Sequence, residues 1–201
     1  MPKLSVKIFD FIIAILLGII LFIPSIVIAI LIKISSKGPV FFLQERVGYK
    51  EKTFKICKFR TMKIGSSKYG AITIGNDDRI TKIGKILRKT KLDEIPQLIN
   101  IYKGEMGFVG PRPDTPEYKE YYKKENSNFF DMLPGITGKA SIYLSNEEEL
   151  MENVDNPKEF YIKKIIPQKV RLNEYHLKNN NILSNIKVML ETVIKILKKE
   201  K

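Results

Sequence analysis

"FIIAILLGIILFIPSIVIAILI", residues 11–32, carries no charged side chain and has one proline, Pro24, past its middle. As a single straight helix its 22 residues would reach about 33 Å, the hydrocarbon thickness of a bilayer. Whether this run crosses a membrane or turns back inside it decides the architecture of the chain. The run is too long for a secretory signal, and Ile32-Lys33-Ile34-Ser35-Ser36 offers no small-residue cleavage site, so it is expected to stay attached. Pro24 removes a backbone hydrogen bond and tends to kink a helix. Lys3 and Lys7 precede the run while Lys33 and Lys37 follow it, so the positive-inside rule gives a straight span no preferred orientation. A helix broken at Pro24, with the freed carbonyl met by Ser25 or by packed protein, returns both ends to one side. An ordinary kinked span is the competing reading.

Outside this run the sequence has the mixed pattern of a soluble domain. The 201 residues are 44% hydrophobic, enough for one domain with a core plus an appendage. The expected division is a membrane helix over 1–36 and a soluble domain over 37–201. Thirty-five Lys and Arg against 22 Asp and Glu give a net charge of +13, which implies an anionic partner: nucleic acid, acidic lipid or a phosphorylated substrate. One cysteine, Cys57, and one histidine, His176, exclude an intrachain disulfide and a His/Cys zinc cluster. The chemistry is left to carboxylates, amines and hydroxyls, and His176 to a structural or surface role.

"PVFFLQERVG" and "KTFKICKFRTM" are β-prone runs around Gly48-Tyr49-Lys50-Glu51, consistent with a hairpin. In "DDRITKIGKILRKT" the apolar residues Ile80, Ile83 and Ile86/Leu87 recur at helical spacing after an aspartate cap, with Asp77 and Asp78 as turn and cap residues. "EIPQLINIYKG" reads as another helix, ending near Gly104. Residues 182–197 place Ile182, Ile186, Met189/Leu190, Val193/Ile194 and Leu197 on one stripe, suited either to an anionic lipid surface or to a protein core. "PGITGKAS" is not a phosphate-binding P-loop, because Leu133 stands where the first glycine is required and Ala140 follows Lys139.

The candidate chemistry lies in "KLDEIPQ", where Asp93 and Glu94 are adjacent. Three roles suit them: capping acids at a helix N-terminus, a nucleophile toward a phosphoryl group drawn to the same helix end, and oxygen ligands for Mg²⁺. Lys58, Arg60, Arg88 and Arg112 sit in or beside turn-like segments. As a set they suit phosphate, which arginine's planar fork grips bidentately.

"DDRITKIGKILRKTKLDEIPQLINIYKGEMGFVGPRP", followed by "LPGITGKAS", closely resembles the bacterial sugar transferase family, the monotopic polyprenyl-phosphate phosphoglycosyl transferases. The similarity runs from the apolar N-terminus through "KFRTM", "LDEIPQL", "GPRP" and "PGITG" to the C-terminal helix. It implies a helix-rich α+β catalytic domain with a small β-hairpin, fused to a re-entrant membrane helix in the cytoplasmic leaflet of the bacterial inner membrane. The implied reaction moves a sugar-1-phosphate from a UDP-sugar to undecaprenyl phosphate, releases UMP and requires Mg²⁺. Membrane lipid, and not nucleic acid, is then the further partner. The family's acidic dyad maps onto Asp93, the implied nucleophile, and Glu94, which would hold metal or manage the proton of the lipid phosphate. Lys58, Arg88 and Arg112 match family positions for phosphate contacts. The chain departs from the family's Ser-Pro break, having Ile23 before Pro24 and Ser25 after it. It departs again after "PGITG", where many relatives read "AQVNGR", and at Asn185, where many carry an aspartate. Neither the donor sugar nor the oligomeric state is specified. The contrasting readings are a glycosyltransferase that releases UDP, and a membrane-anchored basic protein that binds acidic lipid or nucleic acid and uses Asp93 and Glu94 only as caps.

Overall fold

The computed structural model describes residues 3–65, 78–152 and 154–199. The apolar run forms two helices, α1 (Leu4–Ile20) and α2 (Phe22–Ser35), bent by 62° at a break at Leu21. The break expected at Pro24 and Ser25 therefore falls about one turn earlier. The reason is local: a proline ring collides with the carbonyl four residues before it and offers that carbonyl no N–H, so the disruption lands upstream. Pro24 itself sits in the first turn of α2, where an N–H has no helical acceptor. Ser25 contributes its backbone N–H, which donates to Leu21 O at 2.9 Å and restarts the helix. No single described helix is long and apolar enough to cross a bilayer.

The bent pair is packed against the rest of the chain along one side. Ala14 is fully buried with Phe54, Ile56, Leu98, Ile101 and Phe108, and the Tyr102 hydroxyl donates to Ala14 O at 2.6 Å. Ile28 and Ile32 pack on Phe59 and Leu87. The other side, including Leu16, Ile19, Ile20, Phe22, Ile23 and Ile30, is exposed.

The expected hairpin is present: β1 (Phe41–Val47) and β2 (Thr53–Phe59) pair antiparallel, Phe41 opposite Phe59 and Val47 opposite Thr53. Helix α3 (Lys82–Thr90) is capped by Thr81, whose Oγ1 accepts from Gly84 N–H at 2.9 Å, and not by an aspartate. Thr81 directly precedes the first helical turn, whereas Asp78 stands in the turn before it and Asp77 lies outside the described residues. Lys91, in the left-handed conformation, ends α3 and turns the chain into a 3₁₀ turn over Leu92–Gln97 that continues as α4 (Leu98–Tyr102). Gly104, at φ +71°, stops it, a conformation that costs a glycine little.

Then follow β3 (Gly107–Val109), α5 (Lys119–Glu125), β4 (Gly135–Thr137), α6 (Lys139–Tyr143), α7 (Glu147–Met151) and α8 (Pro157–Phe160). A π turn over Tyr161–Ile165 joins α8 to α9 (Ile166–Asn179), and α10 (Ile182–Lys199) ends the described chain. "PGITGKAS" is thus a strand running into a helix. β3 and β4 pair in parallel, Gly107 opposite Gly135 and Val109 opposite Thr137. Their backbones touch: a Cβ on Gly110 would lie 2.2 Å from Leu133 O, and one on Gly135 would lie 2.1 Å from Gly110 N. Glycine at both positions lets the "GPRP" segment lie flat against β4. A second apolar cluster, built on Tyr118, Tyr122, Phe129, Phe130, Ile165 and Ile166, fills the far side. The result, among the described residues, is a helix-rich α+β domain with two small sheets.

On α10 the apolar stripe divides: Met189 packs against the core, while Leu190, Val193, Ile194 and Leu197 are all more than half exposed. The helix also buries Asn185 and Val188. Lipid remains the occupant that the stripe's composition suits.

Candidate active site

Asp93 and Glu94 occupy the first turn of the 3₁₀ segment, and the residue at the capping position, Lys91, makes no side-chain cap hydrogen bond. Both carboxylates are buried, at 7% and 8% exposure. A pair of acids that only capped a helix would be satisfied by backbone N–H groups. Glu94 is satisfied by cations: its Oε1 accepts from Lys58 Nζ at 3.2 Å, and Arg112 grips both oxygens, at 2.5 Å and 3.3 Å. Asp93 Oδ1 has no hydrogen-bond partner.

The two acids are held in opposite electrostatic states. Burial works against ionised Glu94, but the Arg112 and Lys58 charges outweigh it and hold the carboxyl far below its usual range. Burial dominates at Asp93 and pushes its carboxyl up, against the pull of Lys58 and with the push of the Glu94 charge. Lys58 is pushed down to about 8, by burial first and by Arg112 second, with Glu94 opposing. An amine titrating near neutrality beside an unpartnered carboxylate is a reactive arrangement.

These groups open into a cavity of ≈ 1050 Å³. Its lining includes Lys58, Arg88, Lys91, Asp93, Glu94 and Arg112; of the cations expected to serve phosphate, Lys58 and Arg112 contact Glu94, while Arg88 borders the same cavity. Arg88 is oriented by its Nε, which donates to Thr61 Oγ1 at 3.0 Å. Arg60 differs. Although it borders the cavity, its fork donates to Lys37 O at 2.5 Å and Ser36 O at 2.9 Å, so it ties β2 to the end of α2. A cation at a helix C-terminus is favoured there in any case, and both terminal nitrogens of the guanidinium fork are engaged by carbonyls.

Three cavity residues were not picked out from the sequence. Lys91 precedes the dyad at φ +58° and pulls both carboxyls down. Arg46 on β1 donates to Gln44 Oε1 at 2.6 Å, to Pro113 O at 3.3 Å and to Asp114 Oδ1 at 3.5 Å. Asp114 in turn accepts from the hydroxyls of Tyr122 and Tyr161. The signal was available for Arg46, since Gln44 and Arg46 alternate on one strand face in a run that is otherwise apolar up to Leu43. The π turn starts at Tyr161 and helps aim its hydroxyl at Asp114, a use to which such turns are often put.

Among the described residues no group of three or more His, Cys, Asp or Glu could cage a metal ion. Mg²⁺ needs no such cage, because one or two carboxylates with substrate phosphates and water complete its shell. Asp93, with its unpartnered buried Oδ1, fits as that carboxylate. Glu94, expected as a second ligand, is committed to Lys58 and Arg112. His176 is buried among structural contacts and lies outside the cavity, as does the fully buried Asn185.

A family model described as bacterial sugar transferase matches residues 1–199. The chain belongs to the bacterial sugar transferase family. It is 42% identical over 124 residues to a Bacillus subtilis protein provisionally named an undecaprenyl-phosphate N-acetylgalactosaminyl 1-phosphate transferase, a match covering 61% of this chain and 65% of that one. To the UDP-N-acetylgalactosamine-undecaprenyl-phosphate N-acetylgalactosaminephosphotransferase of Aeromonas hydrophila it is 31% identical over 176 residues, 84% of this chain and 38% of the relative. To the UDP-glucose:undecaprenyl-phosphate glucose-1-phosphate transferase of Escherichia coli it is 41% identical over 138 residues, 66% of this chain and 30% of the relative. Each of these three is matched over less than two thirds of its own length.

For this family member the depressed Lys58 makes a pH prediction. The rate parameter kcat/KM reports groups of the free enzyme. It is expected to fall above pH about 8, as Lys58 loses its charge beside the acidic pair. Lys58→Arg, which cannot deprotonate in this range, should remove that limb whatever its effect on the maximum. A limb unchanged in Lys58→Arg assigns it to another group.

Proposed function

We propose that the protein transfers a sugar-1-phosphate from a UDP-sugar to undecaprenyl phosphate, releasing UMP. The observation that carries this reading is the unpartnered Asp93 Oδ1, buried beside a Glu94 whose charge is already neutralised by Lys58 and Arg112. An Asp93 oxygen attacks the β-phosphorus of the donor, the bond from that phosphorus to the oxygen bridging the α-phosphate breaks, and UMP leaves with that oxygen. An oxygen of the lipid phosphate then attacks the same phosphorus and frees the Asp93 carboxylate, giving a polyprenyl diphosphate sugar. Division into two displacements lets two anionic substrates react in turn with one enzyme carboxylate. Arg112 and Lys58 hold the diphosphate charge in place, while Glu94 fixes both cations and so takes the role of an orienting residue. Bound at Asp93, Mg²⁺ would neutralise part of the diphosphate charge.

The lipid acceptor requires a membrane-facing site. The exposed faces of α1 and α2, Phe41, Phe42 and Leu43 of β1 and the stripe of α10 form more apolar surface than a soluble domain leaves uncovered. In this reading the bent pair enters and leaves the cytoplasmic leaflet of the bacterial inner membrane, with the domain over residues 37–201 on the cytoplasmic face.

The test of the reaction is to supply the full chain in lipid nanodiscs with Mg²⁺, undecaprenyl phosphate and a panel of UDP-sugars. UMP release that depends on Mg²⁺ is the expected result. Release of UDP would mark a glycosyltransferase that moves the sugar alone.

A topological prediction follows from the break at Leu21 and the lysines at both ends. Residues 3 and 37 are expected on the same, cytoplasmic side. Cysteine placed at either position, in a background lacking Cys57, should react with an impermeant thiol reagent only after cells are opened. Labelling of position 3 in intact cells would sink the re-entrant reading. Pro24→Leu restores the missing N–H and should expose position 3 in part of the population, because a continuous helix of about 33 Å can span.

A further inference from the structure

We infer that Ser141 and Asn173 form the subsite that holds the sugar of the donor and selects among donors. This rests on the transfer reaction proposed above. Asn173, on α9, is 2% exposed, and its Nδ2 donates to Lys169 O at 2.8 Å. That bond fixes which way the amide faces, and its Oδ1 is left with no partner. Ser141, on α6, likewise has a buried Oγ with no partner. The two residues come from different helices and line the same cavity as Asp93 and Arg112. The start of α6 lies beside Asn173: a Cβ on Gly138, three residues before Ser141, would lie 3.5 Å from Asn173 Oδ1.

Buried polar atoms are nearly always hydrogen-bonded, so two orphans on one cavity wall call for a ligand or water. The charged groups beside them are already engaged. Lys169 Nζ contacts Glu147 at 2.8 Å and the Tyr161 hydroxyl at 2.8 Å, and Asp114 holds both tyrosines. The wall therefore offers a neutral acceptor at Asn173 and a hydroxyl at Ser141, with the apolar Ala140 and Ile142 also lining the cavity. An acceptor selects a donor of hydrogen bonds. Among groups on a nucleotide sugar, that means ring hydroxyls or an acetamido N–H, and not the phosphates, which carry no proton to give. Sites built to hydrogen-bond a polar group discriminate strongly against analogues that lack or misplace it.

The experiment compares kcat/KM for UMP release with UDP-glucose, UDP-galactose, UDP-N-acetylglucosamine and UDP-N-acetylgalactosamine in the native chain, Ser141→Ala and Asn173→Ala. At least one variant should change the ratio between the best donor and its C2 or C4 analogue by about tenfold or more. Binding of UMP, which has no sugar at this position, should stay unchanged. Ser141→Ala places a good helix former in α6 and keeps the test decisive if Asn173→Ala fails to fold. Donor ratios preserved in every folded variant, whether or not all rates drop together, would mean that the two oxygens hold only a structural water and would overturn the inference. A native chain that releases no UMP from any donor would instead sink the transfer reaction on which it rests.

Discussion

Asp93→Asn is expected to lower turnover by at least about a thousandfold while leaving the melting temperature equal to the native value or above it. The amide keeps the shape of the side chain but cannot form the acyl phosphate. Its effect on stability follows from burial. The folded-state pKa of Asp93 is raised, first by desolvation, so the contribution of this group to stability is present below the ordinary aspartate range and lost as pH rises through its folded value. Above its raised folded pKa the native fold carries an ionised carboxylate with an unpartnered oxygen, and a neutral asparagine relieves it. The advantage of Asp93→Asn in melting temperature should shrink as pH falls and the native carboxyl becomes protonated. A residue kept for structure would show the reverse, a loss of stability that explains the loss of activity. Acid quenching of the native protein with donor alone should trap a phosphosugar adduct by mass spectrometry, absent from the variant. Near-native turnover in protein shown by mass to retain the asparagine would exclude the covalent route.

What the sequence disclosed and what it withheld divide along physical lines. The hairpin, the helix over Lys82–Thr90 and the helix that follows "EIPQ" depend on local alternation and spacing, and these were readable, whereas the cap of the first was not, since Thr81 holds it in place of the expected aspartate. The parallel pairing of β3 with β4 was not, because strands of three residues have no period to detect and their partners are distant in sequence. Asp93 and Glu94 stood out as adjacent acids in a basic chain, but the asymmetry between them comes from Lys58 and Arg112, which reach Glu94 from β2 and from the "GPRP" segment. Arg60 was grouped with the phosphate clamps since sequence shows a charge and not its contacts. Only the fold brings the carbonyls of Ser36 and Lys37 to it. The position of the helix break was legible in principle, since proline disrupts the turn before it. On α10 the period was correct, yet a period cannot tell a core from another apolar surface: Met189 packs on the core while Leu190, Val193 and Leu197 stay exposed.

Glu94→Gln is expected to do what Asp93→Asn does not, and damage fold and activity together. Glutamine preserves shape, but it removes the one negative charge that both Lys58 and Arg112 contact directly. Breaking a buried ion pair from one side costs about 3–5 kcal/mol, because the remaining charge is left uncompensated. Arg112 retains 35% side-chain exposure, which lets water screen part of its charge and places the expectation near the lower end, about 3 kcal/mol. For a chain of this size that corresponds to a fall of roughly 6–12 °C in melting temperature. The pH dependence supplies an independent check. The folded pKa of Glu94 lies below its ordinary value of 4.5, so its stabilisation is present above that value and lost as pH falls toward the folded pKa. The gap between native and Glu94→Gln should accordingly be full at neutral pH and narrow in acid below pH 4.5. It should narrow again as pH rises toward about 8, because Glu94 raises the pKa of Lys58 and its removal lets Lys58 shed its proton at lower pH than in the native fold, so one of the two stranded cations disappears. Activity should fall with stability at neutral pH, since Lys58 and Arg112 lose the carboxylate that aims them at the donor. A variant that melts with the native protein across this range would show that the two cations are held by something other than Glu94, and would return that carboxylate to the role of metal ligand or proton carrier.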